Sequence, residues 1–145
     1  MSIVIFGERP GPNTDPDRPL FPHSTTGAAA NLAQLLGMSL EEYVRGTVRY
    51  NVCDDPWTST ADRTVRLRVR SILEMHRKQS RDNHFIVLGR DTARAFPPEY
   101  RYAPFGHHIH DTILIPHTSG VNRYYNSQED KEFIKQSLKD FLGRS

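Results

Sequence analysis

Apolar residues open the chain as an unbroken run, Ile3-Val4-Ile5-Phe6, that stops at Gly7. A β-branched run of this length suits a strand buried on both faces, and one is predicted over residues 2–6. The pattern then lapses. Five prolines and two glycines fall between Gly7 and Thr26, and a connection of that length is usually functional or disordered; a functional loop is expected. Helical spacing returns at Ala28 to Leu36, with Leu32, Leu35 and Leu36 on one face, Thr25 or Thr26 as cap and Gly37 as stop. Ser39 to Glu42 is a capping-box pattern that starts a second short helix.

Thr47 to Cys53 reads as the next strand, passing Asn51 into an acidic turn, Asp54-Asp55-Pro56-Trp57. From Thr60 to Gln79, Val65, Val69, Ile72, Leu73 and His76 form one helical stripe. Arg63, Arg66, Arg70, Arg77 and Lys78 lie largely outside it, so this helix is amphipathic and basic. Its charges fit a solvated face or a nucleic-acid patch. Phe85 to Leu88 is a third strand, Asp91 to Phe96 a short helix stopped by Pro97 and Pro98, and Thr112 to Ile115 a fourth strand ending at Pro116. Gln128 to Leu142 closes the chain as a helix whose apolar side is Phe133, Ile134, Leu138, Phe141 and Leu142. Strands separated by helices predict one three-layer α/β/α domain over residues 1–145, with a central, mostly parallel, four-stranded sheet.

The totals narrow the picture. With 145 residues, 37% of them hydrophobic, the chain has room for one core and no second catalytic domain. The net charge of +2 supplies no strong overall field, so nucleic acid would be met by a local basic face. One cysteine, Cys53, can make neither an internal disulfide nor a four-cysteine cluster. With no apolar run near membrane-spanning length and no leader pattern, the expected setting is cytoplasmic, without membrane contact.

Ligands of open α/β sheets bind beyond the carboxyl ends of the strands. Three such ends carry polar clusters here: Gly7-Glu8-Arg9-Pro10-Gly11, Asn51, and His117-Thr118-Ser119-Gly120-Val121-Asn122. A carboxylate, a carboxamide and an imidazole at one edge supply a water-orienting group, a two-way hydrogen-bonding reader and a donor for developing negative charge. Each has a plainer alternative: Glu8 as a solvated loop acid, Asn51 as a turn cap, and His117, at an exposed strand end, as a core histidine.

In the same order and at the same strand ends, these segments resemble those of the uracil-DNA glycosylase superfamily. Gly7-Glu8-Arg9-Pro10-Gly11, then Asp15 and Arg18-Pro19-Leu20-Phe21, resembles the G-E-x-P-G, Asp and R-P-F pattern of its iron-sulfur branch. Tyr50-Asn51-Val52-Cys53 resembles the T-N-V-V segment, and His117 to Asn122 the H-P-S-x-x-N and N-P-S-G-L-N motifs. Val87-Leu88-Gly89-Arg90 fits the strand before that motif. Each motif is short and weakly specific alone; their shared order spans nearly the whole chain.

The resemblance implies a cofactor-free monomer with a glycosylase-like fold that hydrolyses the N-glycosidic bond of a flipped uracil-like or modified base in single- or double-stranded DNA. Glu8 would place the attacking water and His117 would donate to the base carbonyl. Gly7, Arg9, Gly11 and Asp15 would line the nucleotide, Leu20 or Phe21 would stack on the base, and Asn51 would read its edge. Ser119 and Gly120 would hold a phosphate beside Asn122, while Val121, Arg123 and Tyr124 would touch DNA. The chain departs from the pattern at Thr118, where proline is usual, at Leu20, where phenylalanine is expected, and in lacking cluster cysteines. The rival class is a non-hydrolytic module on the same fold that binds a nucleotide, a modified base or nucleic acid. His107-His108-Ile109-His110-Asp111 is expected to be a polar strand-entry loop, with no metal bound.

Overall fold

The computed structural model describes residues 1–11, 15–23, 26–119 and 122–143. Among them, five strands form one sheet in the order β2-β1-β3-β5-β4. Strands β1 (Ser2–Gly7), β2 (Thr47–Asn51), β3 (Asn83–Leu88) and β5 (Thr112–Ile115) run parallel, and β4 (His108–Ile109) pairs antiparallel with β5. The expected four-stranded sheet is therefore corrected to five. The added strand has two residues and no apolar alternation to reveal it, and the chain turns into β5 at His110, a non-glycine residue with φ 54°.

Strand pleating divides the core in two. Ile3 and Ile5 of β1 face α1 (Ala28–Leu35), α2 (Leu40–Gly46) and α6 (Gln128–Phe141), joining Leu32, Tyr43 and Ile134. Val4 and Phe6 face α3 (Arg63–Gln79), α4 (Arg90–Ala93) and α5 (Pro98–Arg101), joining Val69, Leu73 and Phe96. Helices thus cover both sheet faces, as the buried, largely apolar strands β1, β3 and β5 require, while the edge strand β2 is polar and partly exposed. No helix of the described residues is long and apolar enough to cross a membrane.

Most helix signals act as expected. Ser39 and Glu42 close a full capping box on α2. Val65, Val69, Leu73 and His76 form the buried stripe of α3, which Asp62 caps through Thr64 N. Three readings change. Helix α1 is entered through Gly27 (φ 101°) with no side-chain cap, so Thr26 does not cap it, and Thr25 lies outside the described residues. The expected Asp91–Phe96 helix is one turn, Arg90–Ala93, and Pro98, expected to stop that helix, begins α5. Proline is well placed at a first helical position, because the amide it lacks would have no partner there. Strand β2 ends at Asn51, although Val52 N and Cys53 N still donate to Gly7 O and Glu8 O.

The chain leaves β1 toward β2 on one side and β3 toward β5 on the other, so the crevice opens at the carboxyl ends of the two central strands. The residues that follow those ends build the site.

Candidate functional site

Gly7 and Asn51 are register partners at the ends of β1 and β2. A Cβ on Gly7 would stand 3.1 Å from Asn51 Oδ1 and 3.3 Å from Leu20 Cδ1. Only glycine lets the carboxamide and the leucine approach the strand end this closely. A cleft of about 640 Å³ opens there, with Arg9, Gly11, Asp15, Leu20, Phe21, Asn51, His117 and Ser119 among its lining residues. His117 also borders a neighbouring cavity of about 390 Å³, shared with Glu8, Arg90, Phe105, Asn122 and Tyr124. The imidazole is the partition between the two spaces.

The loop after β5 is fixed by its own polar atoms. Thr118 is buried and donates through Oγ1 to Ala28 O at 2.8 Å, while Asn31 Nδ2 donates to Thr118 O at 2.9 Å. Tyr125 Oη donates to Pro116 O at 2.6 Å. Asn122 spends both ends of its amide locally: Nδ2 donates to His117 O at 2.8 Å and Oδ1 accepts from Tyr124 N at 3.0 Å. Loop geometry therefore accounts for Asn122, which caps the 3-10 turn Arg123–Asn126.

His117 is half-buried, a correction to its expected exposed position. Its Nδ1 accepts the Ser119 backbone N–H at 2.9 Å. A nitrogen that accepts a hydrogen bond carries no proton, so in the neutral ring Nε2 is the protonated nitrogen and the donor. Burial holds the imidazole below its ordinary value near 6.5, with the Glu8 carboxylate pulling weakly the other way. At neutral pH the ring is an uncharged donor.

Glu8 is braced rather than free. Arg9 Nε donates to Glu8 Oε2 at 2.8 Å, Nη1 to Asp55 O at 2.9 Å and Nη2 to Thr58 O at 3.1 Å. Asp55 in turn receives Trp57 N, Thr58 N and Thr58 Oγ1, and the Thr58 bonds above all hold its carboxyl below the usual range. Arg9 thus pins the Glu8 carboxylate to the turn after β2, a role distinct from the ligand contact expected of it. On the far side of Asn51, Arg68 donates to Asn51 O, Val52 O and Asp54 Oδ2, fixing the backbone beneath the carboxamide. Among the described residues, the Asn51 side chain makes no hydrogen bond of its own.

Leu20 sits at φ 53°, a left-handed conformation that costs a non-glycine residue about 1–2 kcal/mol. The buried Tyr43 hydroxyl holds it there by donating to Leu20 O at 2.9 Å. Phe21 is half-buried, with the Arg18 guanidinium carbon 3.6 Å from its ring centroid and the His23 ring centroid 5.4 Å away. Asp15 Oδ1 accepts from Asp17 N at 2.9 Å, which turns the chain at the cleft rim. Arg123 is exposed. Tyr124 packs against Phe105 and Tyr125. Gly120 and Val121 lie outside the described residues.

Tyr43, Asn31 and Phe105 carry no usable sequence signal, and Arg90 is legible only as part of the Val87–Arg90 segment. Arg90 stacks on Phe105 at 4.3 Å and donates to Ala103 O at 2.8 Å. The first two act on backbone carbonyls far away in sequence, which no spacing rule anticipates. Among the described residues no group of three or more His, Cys, Asp or Glu could hold a metal ion. His107 and His108 lie against Phe133 and Phe141.

No family model, curated protein or solved structure gives a significant match to the chain.

Proposed function

We propose that this chain is a glycosylase-like hydrolase, on a fold of the uracil-DNA glycosylase type, which cleaves the N-glycosidic bond of a flipped uracil-like or modified base in DNA. The observation that carries the reading is the His117–Ser119 bond. It leaves a neutral imidazole with its proton on Nε2, beside a cleft that also holds the uncommitted Asn51 carboxamide. That combination suits a heterocycle with adjacent carbonyl and N–H groups.

In this mechanism Asn51 pairs with the base edge, and Leu20 or Phe21 covers its face. As the bond from C1′ to the base nitrogen breaks, its electron pair moves onto the base, and His117 Nε2–H donates to the carbonyl oxygen where negative charge gathers. The Glu8 carboxylate orients a water whose oxygen bonds to C1′ and whose proton Glu8 accepts. The base leaves as its anion and takes up a proton from solvent while Glu8 gives the water's proton back to solvent, so the products are a free base and an abasic sugar. No cofactor takes part in any step. The test is single-turnover cleavage of an oligonucleotide bearing one uracil. His117→Asn should lower the rate about 10²- to 10³-fold and Glu8→Gln about 10²- to 10⁴-fold, with folding retained. Normal rates in both variants would overturn the mechanism.

One observation favours the rival reading of a non-hydrolytic base or nucleotide binder. The 2.8 Å pair with Arg9 already engages Glu8 Oε2, so that oxygen is not free to orient a water. Tight binding of a uracil-containing strand with no abasic product would select that reading.

A further inference from the structure

Trp57 is the chain's one tryptophan, and it is 82% exposed. Tryptophan normally hides much of its large apolar surface, about 150–250 Å² of it, so an indole left almost wholly in water calls for a cause. Slackness of the chain is not that cause. The Asp55 carboxylate accepts the Trp57 backbone N–H at 3.0 Å and both the backbone N–H and the hydroxyl of Thr58, at 2.6 and 2.7 Å. Arg9 holds the same turn from below through Asp55 O and Thr58 O. The backbone on either side of the indole is thus fastened, and the ring is presented outward on a braced turn.

The brace is shared with the cleft. The guanidinium that fixes the Trp57 turn also grips Glu8, and Cys53 N, just before the turn, donates to Glu8 O at 2.9 Å. Arg9, which lines the cleft, is thus the link between the cleft and the turn that carries Trp57. The acidic residues around the indole are already answered: Asp54 pairs with Arg68 at 2.7 Å, and Asp55 is saturated by the turn and lies close to Arg9. Among the described residues Asp55 makes no ion pair, but both of its oxygens are engaged by Trp57 N, Thr58 N and Thr58 Oγ1.

We propose that Trp57 is a stacking platform for a nucleobase neighbouring the one held in the cleft, so that it grips a single-stranded or locally opened nucleic-acid segment by its bases. The inference rests on the nucleic-acid reading of the cleft but not on hydrolysis. Stacking on an aromatic ring tolerates any base, because every base offers a π-face. The platform therefore adds affinity for a strand without choosing its sequence.

Because no other indole is present, its fluorescence reports the contact directly. The full chain would be titrated with an oligothymidylate of about ten nucleotides and with an equally long strand whose sugars carry no bases, and binding would be followed in parallel by the anisotropy of an end label. The expected result is strong quenching of Trp57 emission by oligothymidylate and none by the baseless strand. Trp57→Ala should weaken oligothymidylate binding about 5- to 100-fold with unchanged thermal unfolding, and Trp57→Phe should restore most of it. Equal quenching by both strands, binding without quenching, or wild-type affinity in Trp57→Ala would each overturn the proposal. So would a turn that serves a protein partner, which would leave the emission unchanged by either strand. Quenching with no abasic product from a uracil-bearing strand would sink only the hydrolytic function and leave the platform standing.

Discussion

The backbone N–H of Ser119 donates to His117 Nδ1 at 2.9 Å, and this single bond sets which nitrogen of the imidazole can serve a ligand. Two residues along the chain are enough to make the contact, yet it holds only because Thr118, between them, is buried and fastened to Ala28 O. Helix α1 and the β5 loop are locked together beneath the histidine.

From this follows a pH dependence. His117 and the buried His76 are both pushed below the ordinary histidine value, chiefly by burial. As pH falls, the unfolded chain takes up these protons first. The stability that the neutral rings contribute is fully present above about pH 6.5 and is lost as pH drops through the lower, folded values. Urea unfolding at pH 7.5 and 5.5 should show a loss in the wild type and a smaller one in a His76→Gln, His117→Gln double variant. An equal loss in both proteins would contradict the assignment.

Arg9 serves as a brace. Arg9→Met removes two bonds to backbone carbonyls and the pair with Glu8, all partly exposed, and should cost about 1–3 kcal/mol in urea unfolding. Any uracil-cleaving rate should fall as well, because Glu8 loses its fixed orientation. Arg9→Lys should recover part of the stability but not the forked geometry. Unchanged stability in Arg9→Met would show that the brace is dispensable.

Tyr43→Phe deletes one hydroxyl from a buried ring and leaves its shape. The lost bond to Leu20 O should cost about 0.5–1.5 kcal/mol. Its more telling effect is local: amide exchange at residues 18–21 should quicken while that of β1 and β3 stays slow. Uniform protection across the chain would mean that the left-handed Leu20 is held by other contacts.

Gly7→Ala places a methyl group 3.1 Å from Asn51 Oδ1 and 3.3 Å from Leu20 Cδ1. The carboxamide and the leucine must both give way, so binding of a uracil-bearing strand should weaken about tenfold or more, against a stability loss of about 1–3 kcal/mol. Full affinity in a folded Gly7→Ala variant would remove Asn51 from the reading surface.

Much of this arrangement was legible in the sequence because strand ends announce themselves. The strands predicted over residues 2–6, Thr47 to Cys53 and Thr112 to Ile115 lead to Gly7–Gly11, Asn51 and His117, and the strand-end rule alone puts these polar residues at one sheet edge. The two-residue strand His108–Ile109 was not legible, since two residues carry no period. Pro98 is ambiguous in the sequence because proline ends and begins helices alike, and here it begins one. The division of labour was hidden too. Arg9 and Asn122 read as ligand contacts in a motif, and both line the cavities, but each also binds backbone atoms, Asp55 O and Thr58 O for one and His117 O and Tyr124 N for the other. Backbone acceptors leave no trace in residue identity.

Asn51 and His117 line the cleft and Glu8 the adjoining cavity, and these three are the groups proposed to cleave a flipped base from its sugar. The most direct measurement is a panel of single- and double-stranded oligonucleotides carrying uracil, hypoxanthine or 5-substituted uracils, incubated with the chain with and without chelator and scored for alkali-labile abasic sites. Abasic product is expected from at least one uracil-like base, undiminished by chelator and lost in His117→Asn. No abasic product from any strand that the chain binds would contradict it.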